Sequence, residues 1–202
     1  MDNNQLENLD GSIAEGANNW TAQQSLLPIF PIDDGDLDFD SLDCQPTGPD
    51  VNIVDDDELA VGASKPAIEL IGRTSQILFF SDCNLPYLVL HIKTMERFMS
   101  VSFTIRTLTG EYRQFVLTNN RTNVVISHNA AKLPLALNDR GWQRICLDLP
   151  YLCHKAYNVQ YHQTLEVSVT GSCRVSGVYF QSRIHSDHEL PPYLKVQAAK
   201  EK

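Results

Sequence analysis

No stretch of this 202-residue sequence approaches the roughly 18 consecutive apolar residues that a membrane-spanning helix requires. The N-terminus, Met1 to Gln5, lacks the basic start and apolar run of a signal peptide. Together these absences predict a soluble, intracellular protein. Lysine and arginine are missing altogether from residues 1–64, which carry fifteen Asp or Glu. Residues 65–202 carry sixteen basic and ten acidic residues, so a −15 segment precedes a +6 body and the chain nets −9. Such asymmetry lets the two parts attract each other or take different partners. The five cysteines, Cys44, Cys83, Cys146, Cys153 and Cys173, are odd in number and unmatched in spacing, which reads as reduced thiols rather than a disulfide framework. Sequons at Asn19 and Asn120 have no meaning without export. Also missing are a G-x-S-x-G elbow, a P-loop, a G-x-G-x-x-G turn and any internal repeat. A length of 202 with 43% hydrophobic residues fits one domain with a tail, or at most two small domains.

What is present divides near residue 50. Residues 1–50 show no sustained period of 2 or 3.6 and are rich in Asn, Gln, Asp, Gly and Pro, so they are expected to form an acidic, largely disordered tail. Within it, residues 26–42 interleave Leu26, Ile29, Phe30, Leu37 and Phe39 with acids. That composition suits either a linear motif that folds onto a basic, partly apolar groove or a merely solubilising stretch. Residues 51–197 are expected to form one β-domain. Met99, Val101, Phe103 and Ile105 alternate with Ser100, Ser102, Thr104 and Arg106, the period of a half-buried strand. A turn at Thr109-Gly110 returns the chain through Tyr112 to Leu117. Gly171-Ser172 suits a type II′ turn, predicting a second hairpin between Leu165–Val169 and Cys173–Phe180. Further strands are predicted over 67–71, 76–81, 87–93, 123–127 and 142–147. The spacing implies an all-β fold, an antiparallel β-sandwich or jelly roll. One short helix is predicted, because Leu149, Leu152, Cys153, Ala156 and Tyr157 share a face, Pro150 suits its first turn and Asn158 its C-cap.

Chemistry-bearing residues each have a plainer alternative. Asp55-Asp56-Asp57-Glu58 reads as a solvated charge run rather than paired catalytic acids. Cys153-His154 reads as a core thiol beside a surface imidazole rather than a catalytic pair. His185 and His188 lack the partners of a four-ligand zinc site, so no metal and no cofactor is expected, and Ser186 to Glu189 fits a capping box. Tyr112 with Arg113, and Tyr179-Phe180 with Arg183, could stack on bases, and Trp142 could carry a sugar. A ligand-binding module for glycan or nucleic acid is therefore the rival class. A net charge of only +6 without a basic stripe disfavours nucleic acid.

The body also carries a recognisable order of motifs. They are Leu85-Pro86-Tyr87-Leu88-Val89 with Ile92-Lys93, Leu133-Pro134 before Gly141-Trp142, and Ala156-Tyr157 with Tyr161. Thr164-Leu165-Glu166-Val167, Cys173-Arg174-Val175, Val178-Tyr179-Phe180 with Arg183, and Ser186 to Pro191 complete the series. In this the chain resembles the cilia- and flagella-associated protein 20 family, as a divergent paralogue. That family usually has its own strands ahead of the part that resembles Val54 to Leu70, where this chain has the acidic tail, and the link from Ser81 to Leu85 is short. The resemblance implies a non-enzymatic structural protein of the ciliary or flagellar axoneme. It would bind the tubulin lattice and neighbouring proteins at the inner junction of doublet microtubules, without a membrane. Arg97, Arg106, Arg113, Arg121 and Arg183 are the candidate partner-binding residues, each on or beside a strand whose neighbours are predicted buried. For each the alternative is a solvated strand face. The tail is expected to bind a basic partner or its own domain.

Overall fold

The structure is a computed structural model that describes residues 25–33, 37–59, 65–138 and 141–195. Two strands of 21 residues, β6 (Tyr87–Thr107) and β11 (Tyr161–Gln181), organise it. A straight strand of that length would reach about 70 Å, far beyond a domain of this size. Each therefore bends and serves two layers. The first half of β11 and the second half of β6 lie in one layer with β2 (Cys44–Thr47), β5 (Gln76–Cys83), β7 (Tyr112–Thr118), β8 (Val125–Ile126) and β9 (Ala130–Pro134). The other halves form a second layer with β1 (Leu26–Phe30), β3 (Val51–Asp56), β4 (Lys65–Leu70) and β10 (Trp142–Asp148). The all-β reading with one helix holds, with one amendment: β7 and β9 pair parallel, so the sheet is mixed.

Side-chain parity shows how the bend works. In β6 the core takes Leu88, Leu90 and Ile92 before the bend, and Met99, Val101, Phe103 and Ile105 after it. Even positions give way to odd ones, because an irregular stretch with Glu96 at φ +56° slips the strand by one residue and keeps its apolar face inward. The layers meet where Phe30 of β1 lies 5.9 Å from Phe79 of β5, while within the first layer Phe103 stacks on its cross-strand neighbour Phe115 at 5.1 Å.

The hairpin expected across Gly171-Ser172 does not exist: residues 161–181 are a single strand. Its partner β6 runs beside it throughout, from Tyr161 opposite Thr107 to Gln181 opposite Tyr87. Gly171 marks a bulge in that pairing rather than a turn. The tail expectation also changes. β1 pairs with Gln181 to Val178 of β11, Phe30 is fully buried, and β2 pairs with β5, so much of residues 26–47 belongs to the sandwich. β1 was obscured because its five residues, Leu-Leu-Pro-Ile-Phe, show no alternation and include Pro28, yet proline is tolerated on an edge strand. Residues 1–24 and 34–36 lie outside the described residues.

The helix α1 (Leu149–Tyr157) forms as the spacing predicts. Asp148 accepts at its N-terminus from the Tyr151 N–H at 2.9 Å, and Asn158 ends it in the left-handed conformation. Leu149 and Cys153 are buried, and the Tyr157 ring meets Phe115 edge-on at 5.7 Å.

A smaller core lies on the outer face of the second layer. There Val89 and Tyr179 are covered by Leu190 and Leu194 of a C-terminal strap, residues 182–195. Glu189 reaches back to accept from the Ser186 N–H and hydroxyl, Arg144 donates to the His185 carbonyl, and Lys65 donates to the Pro192 carbonyl at 2.8 Å. His91 is buried beneath the strap, edge-on to Tyr179 at 5.5 Å. Burial, aided by the Arg144 charge and opposed by Asp187, pushes its imidazole down to about 4. The folded state thus keeps His91 neutral, while an unfolded chain protonates it near pH ~6.5. Its contribution is complete above that pH and is lost as pH falls toward about 4, by about 3 kcal/mol across the window. Urea unfolding at pH 7 and 4.5 should show His91→Gln losing distinctly less stability on acidification than the unsubstituted protein. Equal losses would contradict this account.

Candidate interaction surface

Eight arginines lie in the described residues, and their partners sort them. Arg106 donates to Gln163 at 2.9 Å, and Arg144 pairs with Asp187 at 3.2 Å. Arg183 pairs with Glu189 on the strap. Arg113 is 8% exposed, pairs with Glu111 at 3.1 Å and lies 5.4 Å from the Tyr157 ring. Arg174 pairs with Asp56 at 2.8 Å and Glu69 at 2.6 Å. Among the described residues, no ion pair or hydrogen bond engages the guanidiniums of the other three, Arg73, Arg97 and Arg121. Those three line one groove of about 930 Å³. The structure thus brings Arg97 and Arg121 together and places Arg106, Arg113 and Arg183 elsewhere. It adds Arg73, which sequence reasoning passed over because it sits in the β4–β5 connection, outside any alternating run.

The groove is positioned by the bend in β6. Arg97 follows the left-handed Glu96, and Arg121 stands in the loop after β7. Asn119 staples that loop to the bend: its Nδ2 donates to the Arg97 carbonyl at 2.7 Å and its Oδ1 accepts from the Met99 N–H at 3.0 Å. Thr118 adds a bond from its hydroxyl to the Met99 carbonyl at 3.1 Å. The lining also takes in residues 134–138, at the end of β9 and beyond it, where Leu135 is buried and Leu137 half-buried. Glu96 is the one carboxylate among the lining side chains. Three guanidiniums against one carboxylate give the groove a local positive potential.

The acidic run at residues 55–58 is not simply solvated. Asp56 is 1% exposed and accepts from Arg174, Lys93 at 3.3 Å, the Glu58 N–H at 2.9 Å and the Trp142 indole at 3.4 Å. Burial raises its carboxyl, but Arg174, the Glu58 N–H and Lys93 outweigh that and hold it below the ordinary value. Trp142 is thereby half-buried against a carboxylate, not displayed as a platform. Tyr179 and Phe180 are buried, while Tyr112 is exposed.

The thiols are quiet. Burial pushes Cys83 up to about 11 and Cys153 and Cys173 up to about 12, far from the thiolate that nucleophilic chemistry uses. His154 is exposed beside buried Cys153, and His185 is buried against Gln181 at 3.1 Å. Among the described residues, no group of three or more His, Cys, Asp or Glu is arranged to hold a metal ion.

Residues 21–198 match the CFA20 domain, an interval that opens ahead of β1 and takes in the whole sandwich. The chain belongs to the CFA20 domain family. It is 30% identical over 112 residues to cilia- and flagella-associated protein 20 of Paramecium tetraurelia and 31% identical to that of Chlamydomonas reinhardtii, covering 55% of this chain in each case. The Caenorhabditis elegans protein of the same name is 25% identical over 138 residues, covering 64% of this chain and 68% of its own. The chain spans 58% of the length of the Paramecium and Chlamydomonas relatives. Membership in this family supports a cilium-related role and a location in the cilium or flagellum.

Proposed function

We propose that the protein is a non-enzymatic structural component of the ciliary axoneme, docking on the tubulin lattice and on neighbouring proteins at the inner junction of doublet microtubules. The observation that carries this reading is the convergence of Arg73, Arg97 and Arg121, without partners for their guanidiniums among the described residues, on one groove of the β-body. Tubulin surfaces are acidic, and although the folded body is not basic overall once the acidic segment carrying β1–β3 is counted with it, the groove presents a local basic patch that attracts such a surface at short range. One exposed arginine–carboxylate contact contributes only about 0.2–1 kcal/mol. Three such contacts hold one copy weakly, and repetition along a lattice supplies the remainder.

Co-sedimentation of the full chain with doublet microtubules over a salt series tests this. The Debye length shortens from about 10 Å at 0.1 M salt to about 3 Å at 1 M. Pelleting should therefore be strong at low salt and fall at least about tenfold in affinity by roughly half-molar salt. Salt-insensitive pelleting, or none, would remove the electrostatic lattice role.

A further inference from the structure

Guanidinium groups present five donors in a rigid fork that matches a carboxylate in two parallel bonds. In this protein five of the eight described arginines already have such oxygen acceptors within the fold, four of them carboxylates. The three that do not are gathered from three separate parts of the chain, the β4–β5 connection, the bend of β6 and the β7–β8 loop, onto one concave surface. From this we infer that the groove receives, in trans, an extended acidic segment of a partner protein with apolar residues spaced between its carboxylates. The inference rests on the docking role given above to the same groove and specifies its occupant.

The lining suits such a segment. Pro134, Ala136 and the half-buried Leu137 add apolar surface to the lining, and the exposed Asn120 and Asn138 add amide groups to it. Alternation along an extended peptide turns its carboxylates to one side and its apolar side chains to the other. A polynucleotide fits less well. The lining has one aromatic ring, Phe98, and it is half-buried, so bases find no stacking platform. Glu96 would also oppose a continuous phosphate backbone. The chain's own acidic and apolar stretch, Leu37 to Asp43, is held elsewhere. Asp43 bonds Phe80 near one end of β5, whereas Arg73 precedes the other end, where Gln76 faces Thr47.

The probe is a fluorescein-labelled twelve-residue peptide alternating Glu with Leu and Val, titrated with the full-length protein and read by anisotropy. Arg97→Glu/Arg121→Glu should weaken binding at least about tenfold, because each reversal replaces an attraction by a repulsion. Neither guanidinium has a partner among the described residues, so the urea midpoint of this variant should stay unchanged. Arg106→Glu, on the outer strand face, should bind like the unsubstituted protein. A peptide with Gln for Glu should not bind. Equal affinity in the double variant, tighter binding of a twelve-residue oligothymidine, or groove-dependent self-association in sedimentation would each overturn the inference. Peptide binding without microtubule pelleting would instead sink the lattice role, and pelleting without peptide binding would sink the occupant alone.

Discussion

Gly171→Ala is expected to lower the unfolding free energy by about 4 kcal/mol or to abolish soluble folding, whereas Gly110→Ala costs about 1 kcal/mol. Both glycines have left-handed backbones, with φ +115° at Gly171 and +87° at Gly110. An alanine therefore brings a comparable backbone penalty at each site. What differs is space. A Cβ on Gly110 meets nothing within 4 Å, but one on Gly171 would lie 2.3 Å from the Phe98 carbonyl oxygen and 2.6 Å from the Met99 Cα. Those are backbone atoms of β6, at the bend that both long strands share, and they cannot rotate away. Relief requires the strands to separate where Gly171 faces Met99, which disturbs the parity switch and the core on both sides. Urea unfolding of the two variants in parallel decides it. If they lose similar stability, the close approach is not what requires glycine here.

The misreading of Gly171 shows where sequence pattern stops. Alternating runs on either side of Gly-Ser look the same whether the chain reverses or continues through a bulge. What distinguishes them is a second long strand alongside, a tertiary fact. Patterns decided by nearest neighbours were legible: the alternation of Met99 to Ile105, its return at Gly110, and the helix from Leu149 to Asn158. Glu96 carried no signal, because a left-handed backbone at a non-glycine residue is imposed by the bend and not by its own preference.

The surface was half legible for related reasons. Arg97 and Arg121 were visible as cations beside strands, but their meeting depends on the bend of β6, and Arg73 had no pattern around it. Arg113 was open to a better reading. It shares parity with buried Phe115 and Leu117, so the alternation of β7 already pointed it inward, beside the Tyr157 ring. Asp56 was hidden by its neighbours: three acids around it are what a solvated run looks like, and its cations Lys93 and Arg174 stand 37 and 118 residues away.

Asp56→Ala is therefore predicted to cost about 3 kcal/mol, because it removes charge-assisted bonds from Arg174 and Lys93 and takes the acceptor from the Glu58 N–H and the Trp142 indole. The Asp56 side chain is fully covered, while Lys93 and Arg174 are themselves 20% and 28% exposed. Arg174 retains Glu69, and Lys93 retains Glu58 at 2.8 Å, so the loss should not exceed that figure by much. Glu58→Ala is the control. Its carboxylate is 53% exposed and bridges the same lysine, so its removal should cost about 0.5 kcal/mol or less. The pH dependence gives a second check. Asp56 is held below the ordinary carboxyl value in the folded state, so its contribution is present above about pH 4 and is lost as pH falls through the folded value. The stability gap between the unsubstituted protein and Asp56→Ala should narrow in strong acid, while the His91 loss runs its course at higher pH. Should Asp56→Ala and Glu58→Ala prove equally mild at pH 7, the buried carboxylate is not what joins β3 to the two long strands.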